Sequence, residues 1–396
     1  MPTDSRTKIL RQIPRSVWIL GFVSLFMDIS SEIIHSLLPM FLMASLGASA
    51  TTIGLIEGIA EATAPIVKVF SGTLSDYLGN RKWLAVAGYG LGAISKPLFA
   101  IAPTIGIVVT ARVLDRVGKG VRGAPRDALV ADVTPPHLRG AAFGLRQSLD
   151  TVGAFLGPLL AVAIMLCASD NYRLAFWLAV IPSVIAVALL TAGVEEPARA
   201  PSAKRVNPLR WDNAILLGRE YWWVVGVGGV FALARFSEAF LVLRAMRSGV
   251  PVALVPLVMV AMNAVYALSA YPFGKLADKM SHTRLLIAGL MVLLASDVVL
   301  AHGDHWTVIL IGVALWGLHM GMTQGLLATM VAHAAPAQLR GTAFGIFNLV
   351  SGVVTLGSSV IAGMLWDRVG AMATFYAGAA FCVLTVLLLL SRRGAT

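Results

Sequence analysis

Charged residues are scarce in this chain. Of its 396 residues, Asp, Glu, Lys and Arg make up 13% and hydrophobic residues 58%, which excludes ordinary soluble domains because too much apolar surface would stay uncovered. Apolar stretches of about 20 residues, the length that crosses the hydrocarbon core of a bilayer, instead recur along nearly the whole sequence. We predict twelve membrane spans, at 17–46, 51–74, 83–102, 104–133, 139–168, 171–193, 221–243, 250–276, 284–301, 306–334, 340–365 and 371–391.

Cysteine is also rare, and several catalytic patterns are missing. Cys167 and Cys382 fall in different predicted spans without the spacing of a metal site, so both are expected to pack as small apolar side chains. The sequence has no Walker-type phosphate loop, no His-Glu-x-x-His and no Gly-x-Ser-x-Gly pattern. We therefore expect no direct use of ATP, no enzymatic activity, no cofactor and no resident metal.

The basic residues lie mainly in alternate loops, which indicates the orientation of the chain in the membrane. They cluster before the first span, after the second span and between residues 194 and 219, while the opposite loops carry few. Loops rich in Lys and Arg stay preferentially in the cytoplasm. Both termini are therefore predicted to be cytoplasmic, and the formal net charge of +11 reflects topology rather than a surface for nucleic acid.

Two segments of the first half recur in the second half at nearly the same offset. The pattern Gly-x-Leu-x-Asp at 72–76 returns 202 residues later at 274–278, and Leu-Arg-Gly-x-Ala-Phe-Gly at 138–144 returns after 201 residues at 339–345. Between these marks, 116–126 aligns with 317–327, and every charge of the first copy faces an uncharged residue of the second. The sequence thus predicts one helical scaffold that occurs twice, with the ionisable residues mainly on the first copy.

The repeat divides the chain into two sets of six predicted helices. We expect an N-terminal six-helix bundle at 1–193, a cytoplasmic linker at 194–219 and a C-terminal six-helix bundle at 220–396. Within the linker, residues 208–219 are either an interfacial helix or plain coil. Twelve helices in two related halves predict a central cavity that is reached alternately from each side of the membrane, as in secondary transporters.

The loop between spans 2 and 3 resembles the signature loop of the major facilitator superfamily, which it matches at Gly72, Asp76, Gly79, Arg81 and Lys82. The second copy departs from the pattern at Ser281 and Thr283, where the family favours glycine and a basic residue. The resemblance implies an all-α integral membrane fold of twelve transmembrane helices in two pseudo-symmetric bundles. Asp76, Arg81 and Asp278 are expected to act as gating latches.

Apart from residues close to the span ends, we place fifteen ionisable groups within the first six predicted spans. Each costs about 2.5–3.5 kcal/mol if it faces lipid at a helix centre, so these groups must face one another or water. The basic ones are Lys68, Lys96, Arg112, Arg116, Lys119, Arg122, Arg126 and Arg146. The acidic ones are Asp28, Glu32, Glu57, Glu61, Asp115, Asp127 and Asp150.

Span 4 carries most of the cations on one face. At 100° per residue its five basic residues, from Arg112 to Arg126, fall within about a third of the helix circumference, and Lys119 lies near mid-span. A cationic stripe in a water-filled cavity attracts an anion. The residues predicted to bind this substrate are Arg112, Arg116, Lys119, Arg122, Lys96, Arg146 and Arg235.

Carboxylates on the first two spans are the candidates for proton coupling. Asp28 and Glu32 share one face of span 1 with His35, and Glu57 and Glu61 share one face of span 2. Clustered or desolvated carboxylates can bind protons in the range that a gradient uses. Two alternatives stay open: permanent ion pairing that cancels the three excess cations of span 4, and a divalent metal held by the span 1 group.

The function predicted from these patterns is proton-coupled import of an organic anion, with a multi-carboxylate matching the guanidinium groups. The segment 115–127, together with Asp28 and Glu32, is similar to bacterial family members proposed to import iron(III)-carboxylate chelates such as carboxylate siderophores. This resemblance implies a ferric complex as cargo and a bacterial inner membrane as location, and we expect a monomer. The alternative is proton-coupled multidrug efflux, since Gly153-x-x-x-Gly157-Pro158 resembles part of the antiporter signature.

Overall fold

The protein is built from helices that cross the membrane. The computed structural model describes residues 12–78, 80–196, 216–277, 279–323, 325–336 and 339–391, without the side chains of Thr73 and Asp76. Most of the linker segment predicted as interfacial helix or coil therefore lies outside the described residues, as does the predicted latch residue Asp278.

Six long helices form the first repeat. They are α1 (Arg15–Ala44), α2 (Ala50–Leu78), α3 (Arg81–Ile101), α4 (Ile105–Val133), α5 (Arg139–Cys167) and α6 (Tyr172–Gly193), with a 3₁₀ turn at Pro136–Leu138. Eight helices form the second repeat. They are α7 (Arg219–Ala234), α8 (Ala239–Arg247), α9 (Leu257–Ala277), α10 (His282–His302), α11 (Trp306–Thr323), α12 (Leu326–Ala334), α13 (Arg340–Arg368) and α14 (Ala371–Ser391), with a 3₁₀ turn at Val252–Leu254.

The second repeat has two more helices because two of its spans are broken. The seventh span consists of α7 and α8, separated by a non-helical segment at 235–238. The tenth span consists of α11 and α12, separated at Gly325, whose φ of 87° is a left-handed conformation that favours glycine. Neither break was predicted from the sequence.

The predicted twelve-helix membrane fold is confirmed. Apart from the two breaks and the later start of α9, the observed helix ends lie within four residues of the predicted ones. Within the described residues, ten spans are long and apolar enough to cross a membrane by length and composition. The other two helices, α2 and α4, carry several of the intramembrane charges.

The chain forms two compact units that differ from the two sequence halves. One unit comprises residues 1–37 and 63–207, and the other comprises 38–62 and 208–396. The beginning of α2 therefore packs with helices of the second repeat, and the rest of α2 packs with the first. The division of the sequence at 194–219 stays a prediction.

In the first unit, α4 is held by small residues of its neighbours. A methyl group at Gly118 would lie 2.6 Å from the carbonyl oxygen of Gly88 on α3, so these two helices touch through their backbones. Gly120 packs in the same way on α2, where a methyl group would lie 2.6 Å from Cβ of Val67. The close packing fixes the direction in which the charged face of α4 points.

The second unit repeats this frame around an aromatic core. Gly321 on α11 packs against Ser269 on α9, at the positions that correspond to Gly120 and Val67 in the repeat. Phe236, in the break between α7 and α8, lies 5.4 Å from Trp316 and 5.6 Å from Phe375 between ring centroids. Rings at these separations gain from edge-to-face contact as well as from burial.

Candidate functional site

The cations of α4 do not share one environment. Arg112, Arg116 and Arg122 are buried, with 1%, 6% and 3% of their surface exposed, whereas Lys119 is exposed. Arg122 lies with its guanidinium 4.8 Å from the ring centroid of Tyr89 on α3. The five cations of the predicted stripe are thus three buried arginines, the half-buried Arg126 and the exposed Lys119.

A buried ion pair holds α3 to α4. Nζ of Lys96 lies 2.7 Å from Oδ1 of Asp115 and donates a second hydrogen bond to Ser31 on α1 at 3.0 Å. Asp115 also lies 4.0 Å from Nε of Arg116. Lys96, predicted to bind substrate, is therefore neutralised by a carboxylate that the sequence analysis left outside the site.

His35 on α1 meets two of the arginines. Its Nδ1 lies 2.6 Å from Nη2 of Arg112 and 3.5 Å from Nη2 of Arg116. A guanidinium has donors only, so Nδ1 of His35 accepts these bonds. The histidine thereby orients both guanidinium groups toward α1.

Lys119 is surrounded by groups that interact with it electrostatically. Asp28, His35 and Asp150 all experience its charge. The carboxyl groups of Asp28 and Asp150 also interact with each other. Among the described residues, no hydrogen bond or ion pair holds Lys119, and the residue is exposed.

A second ionic cluster connects α4 and α5. Arg126 lies 3.1 Å from Asp127 and 3.8 Å from Asp150, and Arg146 lies 3.6 Å from Asp150 and 4.0 Å from Asp127. Lys68 on α2 lies 3.6 Å from Asp127. Arg146, predicted to bind substrate, is thus one member of a network of alternating charges.

Two glycines bring α5 against the acidic face of α1. A methyl group at Gly153 would lie 3.0 Å from Cβ of Asp28, and one at Gly157 would lie 2.5 Å from Cβ of Glu32. The motif that resembles part of an antiporter signature therefore serves close helix packing beside the two predicted proton-coupling residues.

The carboxylates of α2 belong to the other compact unit. Glu57 and Glu61 lie in the part of α2 that packs with the second repeat, where Glu61, Glu238 and Tyr266 interact electrostatically with Arg235. Of the fifteen intramembrane groups, the first unit thus contains all eight basic ones and five of the acidic ones. Carboxylates of its own spans do not balance its cations.

The proposed metal ligands of α1 have other partners. His35 accepts from Arg112 and Arg116, and Asp28 interacts with Asp150. In the part of the chain that the structure describes, no group of three or more His, Cys, Asp or Glu side chains is arranged to hold a metal ion.

Of the predicted latch residues, only Arg81 has a described side chain. It forms an ion pair with Asp132 at the end of α4 and donates to the carbonyl oxygen of Ala128 at 3.2 Å. The backbone amides of Arg81 and Lys82 donate to Glu196 at 2.9 and 2.6 Å. The first residues of the linker are thus tied to the signature loop.

The sequence analysis missed one buried acid. Asp297 on α10 is 0% exposed, and neither of its oxygens has a hydrogen-bond partner among the described residues. Its Oδ2 lies 2.7 Å from the position that a methyl group on Gly378 would take, beside the ring of Phe236. A count of charges within the ninth predicted span would have found it.

Twelve membrane helices, two repeats packed on one frame and an ion network at membrane depth define a secondary transporter. The family model of the Major Facilitator Superfamily matches residues 20–356 and 239–395. The MFS-type transporter MJ1317 of Methanocaldococcus jannaschii, itself uncharacterised, is 31% identical over 392 residues, which cover 96% of this chain and 95% of the relative. The chain belongs to the Major Facilitator Superfamily.

Two further comparisons show how far the likeness extends. The quinolone resistance protein NorA of Staphylococcus aureus is 23% identical over 189 residues, covering 48% of this chain and 47% of NorA. The crystal structure of a mutant nucleoside transporter, NupG, superposes with a TM-score of 0.80 at 12% identity, covering 95% of this chain and 98% of NupG, which shows the fold alone. The resemblance to iron(III)-carboxylate importers receives no support from these relatives.

Proposed function

We propose that the protein imports an organic anion together with protons, and that Lys119, supported by Arg112, Arg116 and Arg122, holds the anion. The observation that carries this proposal is the exposure of Lys119 beside three buried guanidinium groups in a unit whose intramembrane cations outnumber its carboxylates. An accessible ammonium at membrane depth needs water or an anion to offset its desolvation.

The chemistry of the neighbours favours a substrate with several carboxylates. A guanidinium binds a carboxylate through two parallel hydrogen bonds, and an ammonium adds a point charge. Arg122 retains a buried Nη1 without a hydrogen-bond partner among the residues described, so it has a donor to offer. A tricarboxylate or its iron(III) complex would match several cations at once. Lys96, Arg146 and Arg235 are the other residues proposed to bind the substrate. Lys96 and Arg146 are oriented by the carboxylates with which they form ion pairs.

The proposed proton carriers are the carboxyl groups of α1 and α2. Asp28 and Asp150 interact with each other and with Lys119, so arrival of an anion at Lys119 changes the field that the two carboxyl groups experience. Glu32, Glu57 and Glu61 are the further candidates. We place the protein as a monomer in a bacterial cytoplasmic membrane with both termini in the cytoplasm.

Multidrug efflux is the second candidate, and the similarity to NorA over about half of the chain favours it. The aromatic core around Phe236 with the buried Asp297 is the part of the protein that suits a lipophilic cation. The two candidates predict opposite charge preferences, so ligand binding separates them.

Thermal unfolding of the purified protein in detergent tests the charge preference. Citrate and tricarballylate are expected to raise Tm and tetraphenylphosphonium to leave it unchanged, because a bound ligand stabilises the folded state by mass action. Comparing the rise in Tm with ferric citrate and with citrate alone tests whether iron is part of the substrate. Stabilisation by tetraphenylphosphonium alone would favour efflux. Uptake of the best ligand into proteoliposomes, with and without an imposed pH gradient, then tests coupling and direction.

Lys119→Gln tests the site itself. It is expected to weaken carboxylate binding about tenfold to hundredfold, the usual loss for one charged hydrogen bond. The matched control is Lys275→Gln, an exposed lysine of α9 in the second unit, which should bind as the wild type does. Equal affinity in both variants would remove Lys119 from the site.

A further inference from the structure

His319 on α11 is a buried histidine with one unused nitrogen. The residue is 0% exposed, and its Nδ1 lies 3.0 Å from the carbonyl oxygen of Gly289 on α10. A carbonyl oxygen only accepts hydrogen bonds, so Nδ1 carries a proton and donates it. The other nitrogen, Nε2, is buried and has no hydrogen-bond partner among the described residues. Buried polar atoms in proteins are rarely unpaired, which makes this nitrogen a candidate for contact with a ligand.

The neighbourhood of Arg235 makes Nε2 of His319 a hydrogen-bond acceptor. Arg235 lies at the break between α7 and α8 and interacts electrostatically with His319. A second cation in this fully buried place, near a guanidinium, would be costly, so the imidazole is neutral. A neutral imidazole that donates through Nδ1 has a lone pair on Nε2. His319 therefore offers one acceptor to a polar hydrogen of a ligand.

Arg235 supplies the complementary group. The guanidinium carbon of Arg235 lies 5.8 Å from the ring centroid of Phe231 on α7, and the imidazole centroid of His319 lies 5.7 Å from the same centroid. Nε of Arg235 is buried and, within the described part of the chain, has no hydrogen-bond partner. Glu61 and Glu238 interact electrostatically with Arg235 and offset part of its charge without bonding to Nε. The second unit thus holds a cationic donor and an uncharged acceptor against one aromatic ring.

We infer that His319 selects a substrate with a hydroxyl group on a carbon that carries a carboxylate: Arg235 binds the carboxylate, and Nε2 of His319 accepts the hydrogen bond of the hydroxyl. The inference rests on the proposed function, because it assigns the class of the organic anion, a hydroxycarboxylate.

The two groups discriminate against the alternatives. A polycarboxylate without a hydroxyl has no hydrogen to donate and leaves Nε2 buried and unpaired, so a site of this kind rejects the analogue that lacks the hydroxyl. An ammonium group could also donate to Nε2, but it would lie near the guanidinium of Arg235, whose charge repels it.

Citrate and tricarballylate test the selection, since they differ only in the hydroxyl on the central carbon. The affinity of each is measured from the concentration dependence of Tm of the purified protein. The wild type should bind citrate about tenfold more tightly than tricarballylate, the effect of one hydrogen bond to an acceptor that otherwise stays buried and unpaired.

Two substitutions separate the roles of the two nitrogens of His319. In His319→Asn the side-chain amide can replace Nδ1 as the donor to Gly289, but no atom reaches the place of Nε2, so the preference for citrate should disappear. In His319→Gln the longer side chain brings an oxygen to the place of Nε2, so part of the preference should remain. Arg235→Gln should weaken both acids equally, because both carry the carboxylate that Arg235 binds.

The matched control is His302→Asn, since Nδ1 of His302 also lies 3.0 Å from a carbonyl oxygen, that of Val298, but at an exposed helix end. Its ratio of affinities should equal that of the wild type. Equal affinity of the wild type for the two acids, or an unchanged ratio in His319→Asn, would overturn the selection by His319 and leave the proposed function intact. Binding of neither acid would refute the proposed function, and the inference with it.

Discussion

The two repeats share a packing frame but bury opposite kinds of side chain. Gly120 and Gly321 each press one helix against a neighbour at equivalent positions, yet the first helix carries four arginines and a lysine while the second carries Trp316 and His319. Close backbone packing depends on a few small residues, so the remaining positions of each helix are free to change chemistry. The small residues that pack the helices are thus distinct from the residues that form the candidate site.

The buried carboxylates make the same contrast. Asp115 in the first repeat lies between Lys96 and Arg116, whereas Asp297 in the second lies among aromatic and small residues without a bonded partner. Removing one member of a buried ion pair leaves an uncompensated charge, while removing a carboxylate that has no partner leaves nothing unpaired.

Asp115→Asn is therefore expected to destabilise the protein by about 3–5 kcal/mol, because the ammonium of Lys96 stays buried without its counter-charge. Unfolding in mixed micelles, followed by circular dichroism, measures the change. The paired variant Asp297→Asn should change the stability by less than about 1 kcal/mol, in either direction. Equal losses in both variants would show that burial alone, and not pairing, decides the cost.

A double substitution sharpens this result. Replacing Lys96 and Asp115 together by Met and Leu should recover most of the lost stability, since apolar residues of similar volume often replace a buried pair without cost. Carboxylate binding should still fall in this variant, because Arg116 loses the carboxylate that orients it. Recovery of stability without any change in binding would limit the pair to a structural role.

The shared frame predicts equal effects at equivalent glycines. Gly120→Ala and Gly321→Ala should each cost about 1–3 kcal/mol, because the new methyl group meets Val67 in one repeat and Ser269 in the other. The controls are Gly140→Ala and Gly341→Ala, a second equivalent pair with open space around each glycine, which should be neutral or stabilising by up to about 1 kcal/mol. A loss at Gly120 alone would mean that only the charged repeat needs the frame.

Most of the fold was predictable because the signals that determine it are local. Hydropathy locates the spans, and the glycines and charges of the signature loop mark the family. The breaks at 235–238 and Gly325 escaped prediction since each lies inside a stretch that hydropathy assigns as one span. The assignment of residues 38–62 to the second compact unit depends on tertiary contacts, which no local pattern contains.

The site was predictable only in part, for a related reason. Helical periodicity put the cations of α4 on one face, but it could not separate the accessible Lys119 from the buried Arg112. Asp115 and Asp150 form ion pairs with cations on other turns or other helices. Tertiary packing decides which charges meet, and the sequence does not show this. Asp297 lies within the ninth predicted span, but the sequence analysis counted intramembrane charges only in the first six spans.

Two arginines outside the charged network extend the comparison to the helix ends. Arg173 donates to the carbonyl oxygens of Ala100 and Ala102 at the end of α3, both at 2.9 Å, and Arg244 donates to those of Leu300 and Gly303 at the end of α10, both at 2.8 Å. A cation at the C-terminal end of a helix donates hydrogen bonds to the free carbonyl groups and interacts favourably with the negative end of the helix dipole.

Arg173→Gln and Arg244→Gln should each lower the stability by about 1 kcal/mol, since each leaves the last carbonyl groups of a membrane helix without their charged donor. The control is Arg368→Gln, an exposed arginine at the end of α13, for which no change is expected. Unfolding in mixed micelles measures all three. Similar losses for the first two would extend the shared frame to the helix ends. A loss for Arg244 alone would instead mean that the second repeat, with few intramembrane charges of its own, depends more on the arginine at this helix end.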